Sequence, residues 1–91
     1  MEKLRAEILV SGKVQGVFYG AHALEFAQEL GLAGTVRDLD TGNVEIIAEG
    51  SKNLLKEFYL WCQDGPKMAE VKNVQIHYTE SKDEFTTFKR K

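Results

Sequence analysis

The segment Gly12-Lys13-Val14-Gln15-Gly16-Val17-Phe18-Tyr19-Gly20 places three glycines within nine residues, between an alternating apolar run and a helical one. Backbone N–H groups in such a loop, with the positive end of a helix dipole behind them, make an anion cradle. A glycine-rich turn without a ligand satisfies the same spacing. The loop lacks the Lys-Ser/Thr end of a nucleotide P-loop and does not match GxGxxG, so no nucleotide site is expected. Phe18 and Tyr19 are candidates for core or for the cradle wall, with core expected for at least one.

Other chemistry-bearing residues are more isolated. His77 sits in a β-type run without a second ligand at metal spacing, so no metal is expected. Asp38 and Asp40 invite a paired-carboxylate reading, but Asp40 belongs to a turn, where Asp is a usual former. Asp83 and Glu84 read as solvated loop residues. The single cysteine, Cys62, excludes an intramolecular disulfide and any CxxC motif. It falls in an apolar helical stripe and is expected to act as a small buried hydrophobe.

The elements that must position these residues follow from periodicity. Ala6, Ile8 and Val10 alternate with Glu7, Leu9 and Ser11, the period of a strand. From Ala21 to Leu30 the period lengthens, and Ala23, Phe26, Ala27 and Leu30 share one helical face. Gly31 supplies the left-handed residue that ends such a helix. Two short β-type runs, 33–39 and 43–50, flank Asp40-Thr41-Gly42-Asn43 and predict an antiparallel hairpin. Ser51 caps a second helix with the stripe Leu54, Leu55, Phe58, Trp61 and Cys62, stopped by Gly65-Pro66. Val71 to Thr79 returns to strand, and Phe85 to Phe88 is a last short run for a sheet edge. The order predicts an α+β, ferredoxin-like βαββαβ sandwich, with an antiparallel sheet, two helices on one face and a short C-terminal strand. The other sheet face is expected to be open or lightly covered.

Composition fits one domain spanning residues 1–91. The chain is 43% apolar, with one Pro, eight Gly and a net charge of −2. That charge argues against nucleic acid or a membrane surface as a partner. The one dense basic run, Lys89-Arg90-Lys91, reads as frayed and solvated. Met1-Glu2-Lys3-Leu4-Arg5 leads into only a short apolar stretch, so no signal peptide or spanning helix is expected. A cytoplasmic monomer is the expectation.

Gly12-Lys13-Val14-Gln15-Gly16-Val17-Phe18-Tyr19 resembles the signature of the acylphosphatase family, in which an Arg follows directly. The likeness continues through Gly31-Leu32-Ala33-Gly34, Val36-Arg37, Gly42-Asn43-Val44-Glu45, Ala48-Glu49-Gly50, Gly65-Pro66 and Phe85-Thr86-Thr87-Phe88. The resemblance implies hydrolysis of the carboxyl–phosphate bond of acyl phosphates, without metal, cofactor or covalent intermediate. It also implies phosphate binding by the backbone of Gln15, Gly16, Val17, Phe18 and Tyr19. The family's Arg and its water-orienting Asn, however, fall on Gly20 and Asp38.

Both replacements are adverse. Gly20 has no side chain where a five-donor, permanently charged fork is implied. An ionised Asp38 repels a phosphate dianion and, unlike Asn, donates no hydrogen bond. An arginine of this kind is worth about 10³–10⁵ in rate. The first reading is therefore a pseudoenzyme, with hydrolysis lost or very weak and a small acyl phosphate or other anion bound weakly. The second is an active acylphosphatase with a substitute residue, for which Lys13 and His22 are the candidates. Arg37 is not one, because strand alternation points it away from Asp38. An RNA-binding module shares the element order, but it needs stacking aromatics and basic surface. The strands offer Ile8, Val10, Ile46 and Ile76 instead.

Overall fold

A computed structural model describes residues 2–91; Met1, included in the sequence-based domain bounds, lies outside the described residues. The chain runs β1 (Lys3–Lys13), α1 (Tyr19–Glu29), β2 (Ala33–Asp38), β3 (Val44–Ser51), α2 (Lys52–Asp64), β4 (Glu70–Glu80) and β5 (Phe88–Arg90). The sheet order is β4-β1-β3-β2-β5. β1 pairs antiparallel with β3 and β4, and β2 with β3. β5 lies parallel to β2, with Phe88 opposite Gly34 and Arg90 opposite Val36. The expected antiparallel sheet thus gains one parallel edge and is mixed.

Element ends differ from the periodicity in an informative way. β1 continues through Gly12 and Lys13, because Gly12 (φ +124°) sits at a register shift against β4 and keeps the pairing alive. The connecting loop is therefore only 14–18, and Gly20 lies in the first turn of α1. The terminal run starts three residues later than expected, as Phe88–Arg90. Gly34 N donates to Thr87 O (3.0 Å) and Lys91 N to Val36 O (2.8 Å), so 85–87 form the approach to the strand.

Both helices cover the sheet face that carries Ala6, Ile8, Val10, Val36, Val44, Ile46 and Ala48, all buried. Phe58 packs between Phe26, Trp61 and Phe88, with ring centroids 6.1–6.3 Å apart. Ser51 Oγ accepts from Leu54 N (3.4 Å), as an N-cap should. Gly34 allows β2 to approach β3, since a Cβ there would fall on the Ile47 carbonyl oxygen. On the opposite face, buried Arg5 and Glu49 lie under the β4–β5 connection, whose Lys82 N donates to Glu49 Oε2 (2.8 Å). The rest of that face is a shallow, open depression lined by Glu7, Leu9, Ile47, Gln75 and His77.

Candidate active site

Loop 14–18 is anchored by its apolar residues and shaped by two left-handed ones. Val14 and Val17 are buried and hold it to the core. Gly16 has φ +73°, and nothing lies within 4 Å of where a Cβ would stand, so this position faces open space. Phe18 is also left-handed (φ 64°, ψ 16°), a conformation that costs a non-glycine residue about 1–2 kcal/mol. Its ring does not recover that cost by burial, being 71% exposed. The strain turns the chain into α1, and Phe18 stands at the N-cap without a side-chain hydrogen bond to the helix. The first N–H groups of α1 thus have no side-chain cap.

Two side chains hold this turn in place. Gln15 Nε2 donates to Leu39 O (2.7 Å) and Asn43 O (2.8 Å), tying the loop to the base of the β2–β3 hairpin. Sequence reasoning assigned Gln15 only a backbone role; the glutamine's two amide donors are the signal for this second one. Tyr19, fully buried, donates its hydroxyl proton to Cys62 O (2.8 Å) and packs against Trp61 at 5.3 Å. Of the two aromatics, Tyr19 is core and Phe18 is not.

Asp38 ends β2 in the same strand phase as buried Val36, on the helix-covered side, directly before Leu39. Across from it, Arg90 has its guanidinium against Gly20. A Cβ built on Gly20 would lie 3.1 Å from Cζ and Nη2 and 3.4 Å from Nε. Arg90 Nη2 is also 3.6 Å from Asp38 Oδ2, with side chains 46% and 39% exposed. Arg90 is therefore half-exposed but not frayed: β5 pairing fixes its backbone, and the strand phase it shares with buried Phe88 directs it to the helix side. That phase was the overlooked signal in the sequence.

The other basic candidates flank the turn without a partner side chain among the described residues to fix them, or lie on the open face. Lys13 is an exposed residue at the end of β1, and His22 is exposed in α1. Arg37 pairs with Glu45 on the open face (2.8 Å), as strand alternation requires. Cys62 is buried and free, and burial pushes its thiol up to about 12. Tyr19 is likewise held well above its usual range by burial. Glu84 is no plain solvated residue, since it accepts from Arg5 Nη1 at 2.9 Å. Asp83 pairs with Lys3 at 2.9 Å; that bond lowers the Asp83 carboxyl and raises the Lys3 ammonium. Among the described residues, no three His, Cys, Asp or Glu side chains gather as a metal site requires.

The fold and this loop define a class: a ferredoxin-like α+β sandwich with a strained backbone turn feeding the first helix. Comparison with known proteins narrows it. A family model described as acylphosphatase matches residues 6–90. An acylphosphatase of Marinobacter nauticus is 48% identical over 85 residues, covering 93% of this chain and 92% of its own. The crystal structure of acylphosphatase from Bacillus subtilis superposes with a TM-score of 0.92 at 32% identity, over 96% of this chain and 97% of that one. The structure of an acylphosphatase from Coxiella burnetii gives 0.93 at 33% identity, over 99% and 94%. This chain belongs to the acylphosphatase family.

Proposed function

We propose that this protein binds the phosphoryl group of small acyl phosphates on the 15–20 turn and hydrolyses the carboxyl–phosphate bond slowly. Water attacks phosphorus, the bond to the acyl oxygen breaks, and carboxylate, inorganic phosphate and a proton leave. Such a reaction asks for positioning and charge neutralisation rather than a protein nucleophile. The backbone of Gln15, Gly16, Val17, Phe18 and Tyr19 offers donors, and the uncapped end of α1 adds partial positive charge. Neither a metal nor a cofactor takes part, and the protein acts as a cytoplasmic monomer.

Slow turnover follows from the charge arrangement at the edge of the turn. Asp38 sits at the edge of the turn with its carboxylate against Arg90. The positive charge there is partly offset, and no amide donor stands where the family resemblance implies one to orient water. Gly20 and Asp38 are the positions of the implied Arg and Asn, and both side chains are missing.

Benzoyl phosphate hydrolysis, measured against the uncatalysed rate, tests this reading. Wild type should exceed the background at micromolar enzyme but turn over poorly. The double change Gly20→Arg with Asp38→Asn should raise the rate at least tenfold. Gly20→Arg alone should do less, because Asp38 captures the new guanidinium, and the two effects should be non-additive. A folded double variant as slow as wild type would show that the turn no longer presents its amides. Efficient wild-type turnover would remove the case for an impaired site.

A further inference from the structure

We infer that Arg90, carried on β5, is the phosphate-binding cation of this turn, using the space that Gly20 leaves by having no side chain. The inference rests on the acyl phosphate reading above and names the residue that neutralises the bound group.

Three observations converge on Arg90. The first is position: its guanidinium lies against Gly20 in the first turn of α1, beside helix N–H groups that no side chain caps. The second is space. A Cβ at position 20 would come within 3.1 Å of the guanidinium, tighter than atoms normally sit, so glycine lets the fork lie closer to the turn than another residue would. Gly20 and Arg90 are two halves of one arrangement. The third is availability. Arg37, a comparable fork, is hydrogen-bonded to Glu45 at 2.8 Å on the other face, whereas Arg90 meets Asp38 at 3.6 Å, beyond hydrogen-bond length.

Magnitudes decide whether the Asp38 contact blocks this role. A half-exposed ion pair at such a distance contributes little, because water screens it. Two parallel N–H donors on a phosphate dianion are charge-assisted at both ends and stronger. Asp38 thus holds the fork near the turn when no anion is bound and gives way when one arrives. It weakens binding without abolishing it.

Inorganic phosphate, titrated into the full chain at fixed ionic strength and followed by the amide NMR shifts of residues 15–20, is the test. Wild type should bind in the millimolar range. Arg90→Gln should weaken binding at least tenfold, and Arg90→Lys, which keeps charge but loses the fork, should fall between. Lys89→Gln removes the same charge from the neighbouring residue in register with Thr35 and should change little. Asp38→Asn should tighten binding, and Arg90→Gln added to it should cancel that gain. The inference is overturned if Arg90→Gln binds like wild type, if Lys89→Gln weakens binding equally, or if phosphate leaves these amides unmoved. Benzoyl phosphate hydrolysis by the same proteins separates the two claims. Arg90-dependent phosphate binding without turnover would sink the hydrolase reading and leave Arg90 as the anion's partner.

Discussion

Glycine in a helix usually costs about 0.5–1 kcal/mol relative to alanine. Gly20 has no positive φ to excuse it, unlike six other glycines of the chain. Its neighbour bears on it, because a Cβ at position 20 would stand 3.1 Å from the Arg90 guanidinium and push it back by a few tenths of an ångström. Stability and site geometry therefore pull in opposite directions at this residue. Gly20→Ala should raise stability by up to about 1 kcal/mol, read from the urea midpoint, since the clash is only with the mobile end of a long side chain. The same change should lower phosphate affinity by shifting the fork. Unchanged affinity would show that the fork does not need this space.

At the scale of elements, β5 is three residues long and cannot hold itself in place. Its approach is fixed by the buried pair on the far side of the sheet. Arg5, with its side chain 7% exposed, reaches Glu49 at 3.4 Å and Glu84 at 2.9 Å, and lies 5.6 Å from the Phe85 ring centroid. Lys82 N adds a bond to Glu49, while Glu49 Oε1 has no partner in the protein. Removing one member of such a pair strands a buried charge. Arg5→Ala should therefore cost about 3–5 kcal/mol in urea unfolding. Replacing Arg5 and Glu49 together by apolar residues of similar volume should cost much less. An Arg5→Ala cost below 1 kcal/mol would mean that water reaches Glu49 and that the connection is not anchored there.

For the whole molecule, the two buried acids set its behaviour in base. Burial pushes the Cys62 thiol up to about 12 and the Tyr19 phenol higher still. In the unfolded chain they release protons near pH 8.5 and 10. Folding keeps both protonated, so their contribution is complete below about pH 8.5. It is lost as pH rises toward the folded values, because the unfolded state gains by ionising. The urea midpoint should fall steadily from pH 8.5 to 11, and Cys62→Ala should flatten the first part of that fall. A midpoint constant over that range would contradict the sealed packing of Tyr19 on Cys62 O. Iodoacetamide should also fail to alkylate Cys62 at pH 8 unless the chain is unfolded.

Periodicity, turn residues and caps act over a few neighbours, and those alone determined the element order, the helix faces and the Gly31, Ser51 and Gly65 boundaries. The same local logic identified a glycine-bearing loop within 12–20, of which 14–18 is loop in the structure, and placed Arg37 on the face away from Asp38. Whatever depends on residues distant in sequence was decided only by tertiary structure. Gln15 reaches the hairpin base 24 and 28 residues away, Arg5 lies over Glu49, and the sheet acquires a parallel edge. Arg90 is the sharpest case. As one basic residue in Lys89-Arg90-Lys91 its one local signal is the strand phase it shares with Phe88, which says nothing of its partners. Its place beside Gly20 and Asp38 follows from β5 pairing with β2, where Phe88 packs against Phe58, residues far apart in the chain.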